Sequence, residues 1–412
     1  MLDTIAPTTQ IMNDTAKLAL ETQSPTADAE TDLFQTGRVA TVSAAHGVHD
    51  TYTAFLPSLL PVFIADLALS KTEAGLLTVF MQAPSLFQPF IGHLADRVSL
   101  RYLVILAPAV TAAMMSLLGV APGYAALALL LMLAGLSSAG IHSVGPVLAG
   151  RLAGSRLGRG MGLWMVGGEL GRTLGPIVIV SALRILTLRG TPWLMIAGLG
   201  MSVLLSVLLR DVAGRPPGEA EPLSWREALG SMGPLLAPLI GIIIVRLFMV
   251  SALTTYLPTF LTEEGAALFF AGASLSILEG AGVVGALLGG SLSDRLGRRA
   301  VLFGSMLATP LLMFAFLAAD GRFHIPLLLL LGLSALSVGP VIMALVQESF
   351  PENRALANGV YMALSFVLRS GVIVVIGAIG DLFNLRSAFA VSAVAPLLGL
   401  PLILFLPPKR SK

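Results

Sequence analysis

No cysteine occurs among the 412 residues, which excludes disulfides, thiolate metal sites and cysteine nucleophiles and leaves the compartment open. Charge is scarce too. Only 12% of the residues are Asp, Glu, Lys or Arg, about half the share found in soluble domains. The net charge of +2 comes with no basic run and no interleaved aromatics, so nucleic acid is not an expected partner. A Gly-rich phosphate loop with its Lys is also missing, which speaks against an ATP-driven pump. Aromatics amount to 7%, and scattered residues such as Trp164, Met165 and Tyr361 read as packing and pathway lining rather than a cofactor box.

What the chain has in excess is apolar residues, 56% of the total, with a mean hydropathy of +0.88. A spanning helix needs about 20 mostly apolar residues. Twelve such spans are predicted, at 41–64, 73–94, 102–120, 124–150, 158–182, 191–210, 235–261, 267–291, 300–318, 324–347, 355–380 and 386–407. The expected fold class is therefore an all-α membrane protein, and the lipid bilayer is an expected partner. Lys and Arg concentrate in cytoplasmic loops. With both termini inside, seventeen of the 25 basic residues fall on inner segments, and only Arg172, Arg246 and Arg369 fall within spans. Residues 1–37, rich in acids and without an apolar core, are expected to be a disordered cytoplasmic tail rather than a signal peptide or anchor. The Pro-, Gly- and charge-rich stretch 211–233 reads as a cytoplasmic linker between two six-helix bundles, 38–210 and 234–407, followed by a short tail at 408–412.

The halves repeat. "GHLADR" at 92–97 returns as "GSLSDR" at 290–295, an offset of 198, and "SVGPV" at 143–147 returns after 194. Arg172 and Arg369 close similar stretches 197 apart, and Leu56-Pro57 returns as Leu257-Pro258 after 201. Ordered matches at nearly constant offset imply parallel repeats around an axis along the membrane normal, with a central pathway between them.

These residues resemble the major facilitator superfamily. Its loop motif is matched by Gly290, Asp294, Arg295, Gly297, Arg298 and Arg299, and the earlier copy keeps Gly92, Asp96, Arg97 and Arg101. The resemblance implies that these loops gate the cytoplasmic side, in addition to anchoring it by positive charge. In the fifth span, Gly162, Gly171, Gly175 and Pro176 match the spacing of the family's antiporter motif, although its closing Gly-Gly is Ile179-Val180 here. Close helix packing is the alternative role of such small residues. "HGVHD" in the first span, "GIHS" in the fourth and "GGELGR" in the fifth resemble the fosmidomycin-resistance-like drug exporters. Against that branch's pattern, His49 and Glu169 each replace Asn, and Ser143 replaces Pro.

Charged side chains inside spans insert at a cost of roughly 2.5–3.5 kcal/mol each, so their default reading is functional. His46, His49, Asp50 and Thr53 share one helical face through their i, i+3, i+4 and i+7 spacing. Asp50, His46, His49, Glu279 and Glu169 are the proton-coupling candidates; the alternative for each is a structural hydrogen bond or counter-ion. Arg369, Arg246, Arg172 and His142 are the substrate-binding candidates, because guanidinium forks suit carboxylate, phosphate or phosphonate groups. Their alternative is internal neutralisation, Arg172 by Glu169 three residues earlier and Arg246 by Asp50. His93 belongs to the first loop motif. No metal site is expected, since the spacing of the histidines supports one only weakly.

The expected function is secondary active transport by alternating access: proton-coupled export of a small organic compound, anionic or amphiphilic, by a monomer in a bacterial inner membrane. The proton is the coupling ion and no other cofactor is expected; the protein is not expected to be an enzyme. Two alternatives stay open, proton-coupled uptake of a small organic anion and a non-transporting receptor or assembly factor of the same fold.

Overall fold

The computed structural model describes residues 34–88, 90–91, 100–154, 157–212, 225–349 and 354–406. Gly92, His93, Asp96 and Arg97, both terminal segments and most of the linker lie outside the described residues. Among the described residues no strand occurs.

In the first half, α1 (Thr36–Thr53) and α2 (Leu56–Leu67) form one span, and α3 (Lys71–Gln82) with a 3-10 turn Ala83–Phe87 forms the described part of the next. Then come α4 (Arg101–Leu117), α5 (Tyr124–Leu152), α6 (Leu157–Leu186) and α7 (Met195–Leu208). In the second half, α8 (Trp225–Ser251) runs through a π turn, Ala252–Tyr256, into α9 (Leu257–Glu263). It is followed by α10 (Leu268–Leu296), α11 (Arg298–Ala318), α12 (His324–Ala335), α13 (Val338–Ser349), α14 (Arg354–Leu382) and α15 (Leu385–Val394), the last extended by 3-10 turns to Phe405. Nine stretches among the described residues are long and apolar enough to cross a bilayer. The predicted first, second and fifth spans do not qualify, for visible reasons. The first is broken between α1 and α2, the second is cut by undescribed residues, and α6 carries Glu169, Arg172 and Arg184.

The Leu-Pro repeat has a structural meaning. Proline cannot donate the i to i−4 hydrogen bond and crowds the preceding turn. Before Pro57 the helix breaks at Ala54 and Phe55, and before Pro258 it widens into the π turn instead. Two halves thus carry different distortions at equivalent positions.

Two of the loop-motif arginines act as helix caps. Arg101 donates to the carbonyls of Arg210 and Val212 at 2.8 Å, just past α7, while Arg299 donates to those of Leu404 and Leu406 at the end of the last span. A cation at the carbonyl end of a helix satisfies free acceptors and opposes the dipole. Arg298 donates to the Ser293 hydroxyl, and Gly297 adopts φ 96°, a backbone that favours glycine, between α10 and α11.

The apolar cores differ. The second half holds one continuous cluster from Leu239 to Leu406. The first half holds two, one around Val39, Val42, Ala45, Trp164 and Leu205, the other around Tyr52, Phe55, Leu59, Leu131 and Ile179. On α1 the residues between the two clusters include His46, His49 and Asp50.

The halves meet where α6 packs on α10 and α3 on α14. Gly272, Ser276 and Gly280, four residues apart on α10, face Val180, Ile177 and Thr173 of α6. A Cβ on Gly272 would lie 2.3 Å from Val180 Cγ1, and the Ser276 hydroxyl accepts the Ile177 N–H at 3.1 Å. Such small residues let helices approach closely where lipid offers no hydrophobic drive. At the end where α2 leads into α3, Asp381 of α14 accepts the backbone N–H groups of Lys71 and Thr72 at 2.6 and 2.9 Å and the Thr72 hydroxyl at 2.6 Å. Lys71 Nζ pairs with Glu263 at 3.1 Å, and the Tyr256 hydroxyl reaches the carbonyls of Lys71 and Ile373 at 3.1 and 3.0 Å.

Candidate functional site

The i to i+4 spacing that puts His46 and Asp50 on one face of α1 brings His46 Nε2 to 3.4 Å from Asp50 Oδ2. From α5, His142 enters the same space: its Nε2 lies 3.2 Å from His46 Nε2 and 3.6 Å from Asp50 Oδ1. His46, His49 and Asp50 are buried, whereas the His142 side chain keeps 33% exposure, which makes it the accessible edge of the cluster.

The outer ring nitrogens fix the tautomers. His46 Nδ1 lies 2.9 Å from the Trp164 carbonyl and His142 Nδ1 lies 2.9 Å from the Ser138 carbonyl. A carbonyl can only accept, so both Nδ1 atoms carry hydrogen and both Nε2 atoms of neutral rings present lone pairs. Two lone pairs facing each other at 3.2 Å call for a cation between them, a shared proton being the simplest. Trp164 also stacks on His46, with ring centroids 3.9 Å apart. Its role here was illegible in the sequence, because only tertiary packing brings α6 against α1; Ser138, by contrast, sits at i−4 from His142 and its contact follows from helical spacing.

His49 is fully buried, its Nε2 3.9 Å from Asp50 Oδ1; among the described residues neither ring nitrogen makes a hydrogen bond of normal geometry, and the Ala107 backbone lies beside the ring. Thr53, expected on the same stripe, turns its hydroxyl to the Asp50 carbonyl at 3.0 Å and does not join the cluster. Close approach of α6 to α1 depends on glycine: a Cβ on Gly168 would lie 2.4 Å from His46 Cε1 and 3.0 Å from Asp50 Oδ2. Of the antiporter-like residues, Gly171 and Gly175 pack against the α1 backbone in the same way, Pro176 lies within α6, and Gly162 faces open space.

The arginines divide. Arg172 pairs with Glu169, as their spacing implies, and places Nη1 3.5 Å from Asp50 Oδ2. The expected pairing of Asp50 with Arg246 is not formed, because Arg172 of the same half takes that place. Arg246 does not converge on the cluster either; it lines a small cavity with Met249, Ser305, Thr309, Val338 and Pro396, within the second half. Among the described residues its Nε has no hydrogen-bond partner, and neither has that of Arg369. Arg369 donates from Nη2 to the Thr254 hydroxyl at 2.9 Å, on the π turn before Pro258. Glu279 forms no ion pair within 4 Å among the described residues but lies in electrostatic reach of Arg172 in one half and Arg369 in the other. A chain of alternating charge, Glu169, Arg172, Glu279 and Arg369, thus crosses the seam. Of Gly290 and Asp294 the structure describes only the helical backbone; Arg295 lies in the last turn of α10.

Similarity to known proteins agrees with this architecture. The chain is 25% identical over 390 residues to the fosmidomycin resistance protein of Escherichia coli (strain K12), covering 91% of this chain and 94% of that one. It is 24% identical to the uncharacterized MFS-type transporter YfnC of Bacillus subtilis (strain 168), over 90% and 92% of the two chains. Among solved structures, a bacterial homolog of the human lysosomal transporter Spinster superposes with a TM-score of 0.74 at 14% identity, over 90% of this chain and 96% of that one. A D-xylose-proton symporter gives 0.66 at 20% identity, over 91% and 98%. The sequence model of the Major Facilitator Superfamily matches residues 42–372 and 280–412. With its repeated halves, buried polar layer and membrane-length helices, the chain belongs to the Major Facilitator Superfamily, as an integral multi-pass transporter and not an enzyme.

Proposed function

We propose that the protein exports a small organic anion or amphiphilic compound in exchange for protons. The observation that carries this reading is the division of labour between halves: lone pairs and a carboxylate in the first, guanidinium groups with free donors in the second. His46, His142 and Asp50 hold the proton, with Glu169 and Glu279 as further carboxylates on its way. Arg369, with Arg246 behind it, receives the anionic group of the cargo. Exchange follows if cargo and proton occupy linked sites in turn, and Glu279 between Arg172 and Arg369 supplies the electrostatic link. Gly171 and Gly175 favour exchange over uptake because they place the antiporter-like face of α6 directly on the helix that bears Asp50.

Alternating access would rock residues 38–210 against 234–407 around this layer, with the glycine seam as the pivot and the basic loops closing the cytoplasmic side. The excess of Lys and Arg on one side supports cytoplasmic termini in a bacterial plasma membrane, and nothing in the reading requires more than a monomer. The test is transport into inverted vesicles, with and without an imposed proton gradient, across phosphonates, carboxylates and cationic drugs. Gradient-driven uptake of an anionic compound is expected. Accumulation in right-side-out vesicles instead would establish symport, and gradient-independent binding without flux would establish a receptor.

A further inference from the structure

The cluster on α1 and α5 also has the metrics of a metal site. His46 Nε2 stands 3.2 Å from His142 Nε2 and 3.4 Å from Asp50 Oδ2, and His142 Nε2 stands 3.6 Å from Asp50 Oδ1; with one ligand atom from each residue, the three lie within 4.8 Å of one another. Ligand atoms bound at about 2.0–2.1 Å to a tetrahedral zinc ion are separated by about 3.3–3.4 Å. Both imidazoles hand their Nδ1 hydrogen to a backbone carbonyl, Trp164 for one and Ser138 for the other. That outer arrangement fixes a histidine ligand with its Nε2 lone pair forward. The fully buried His49 ring, which among the described residues makes no hydrogen bond of normal geometry and has the Ala107 backbone beside it, lies against the cluster 3.9 Å from Asp50 Oδ1.

We propose that His46, Asp50 and His142 form a three-donor binding site for one divalent transition-metal cation of the Zn2+ type, with His49 packed beside it. Imidazole-rich sets select Zn2+, Co2+, Ni2+ or Cu2+ over Mg2+ and Ca2+, which take oxygen ligands. Arg172 is the cation facing the site, 3.5 Å from Asp50 Oδ2, and it is held by Glu169. Asp50 and Glu169 together outweigh Arg172 by one negative charge, so a dication does not enter a positive field. The exposed edge of His142 gives it a way in. The ion would occupy the space between the two Nε2 atoms that the coupling proton needs, and would therefore arrest exchange. The site rests on geometry alone and stands whichever compound is carried and in whichever direction.

The experiment uses the full chain, purified in detergent without a histidine tag. With no cysteine and five histidines in the sequence, background coordination is small. Titration with Co2+ should produce visible ligand-field bands saturating at one ion per chain, abolished by stoichiometric Zn2+ and unaffected by Mg2+. His142→Gln, at the partly exposed edge, should weaken binding by more than the roughly 10–100-fold that loss of an outer partner brings; His49→Ala should weaken it less. Wild-type protein without bands at millimolar Co2+, or His142→Gln titrating like wild type, would overturn the site. Should the variant prove misfolded, zinc X-ray absorption of the wild-type protein decides: imidazole scattering supports the site, and its absence refutes it.

Discussion

The two halves descend from one pattern yet solve opposite problems. In the second half the apolar core runs unbroken, and among the described residues Arg246 and Arg369 each keep an Nε without a hydrogen-bond partner, while Glu279 lies in reach of Arg369. In the first half a polar layer on α1 divides the core in two, and Arg172 pairs there with both Asp50 and Glu169. Leaving a buried donor unpaired is expensive, which is why the arginines of the second half are the proposed place for a visiting ligand and the titratable cluster of the first half the proposed place for the proton. At equivalent Leu-Pro positions the first half breaks its helix just after the cluster, and the second widens into a π turn whose Thr254 holds Arg369.

The comparison can be broken most directly at Asp50. Asp50→Asn keeps shape and removes the carboxylate; transport in vesicles should lose its pH dependence entirely while substrate still binds. Unchanged pH dependence would take Asp50 out of the mechanism. Arg369→Gln comes next, since a hydrogen bond to a charged group contributes about 1.5–3 kcal/mol. Substrate binding should weaken roughly 10–150-fold with expression intact, and by clearly more than in Arg172→Gln, whose guanidinium is already paired. Equal losses in both variants would mean that the halves do not divide the work.

Packing offers a subtler contrast. Gly168→Ala drives a Cβ into His46 and Asp50, and overpacking of this kind typically costs about 1–3 kcal/mol. Gly162→Ala, on the same helix but facing open space, should not destabilise, since Ala is the better helix former by up to about 1 kcal/mol. Thermal unfolding in detergent measures both, and a similar response would show that α6 does not press on the cluster. The smallest effect is expected at the end where Asp381 meets α3. Lys71→Gln removes a partly exposed ion pair contributing about 0–1 kcal/mol, and Asp381→Ala removes a helix cap contributing about 1 kcal/mol. Crosslinking of a cysteine pair introduced across that end, in a chain with none of its own, should fall slightly in the first variant and further in the second.

Much of this was legible in the chain. Hydrophobic runs and the placement of arginines announce the spans, and the Leu-Pro offset marks where both halves bend. The i to i+4 rule joins His46 to Asp50 and Glu169 to Arg172. What could not be read are contacts set by how helices rotate against one another: the meeting of His46 with His142, Trp164 over the ring, and the seam of Gly272, Ser276 and Gly280. Arg246 shows the same limit, since midplane depth said nothing about the side of α8 on which it lies. The loop arginines had a signature, but not the finding that Arg101 and Arg299, 198 residues apart, cap the last helix of their own halves.

The cap that Asp381 places on α3 has one further consequence. The amides of Lys71 and Thr72 open their helix and have no acceptor within it, so their shielding from solvent comes from the other half of the molecule. Whenever the halves part at that end, these two hydrogens become free to exchange with deuterium while the rest of α3 stays protected. Their exchange rate, compared with that of the next turn, would time the opening of the transporter without a label, a ligand or a substitution.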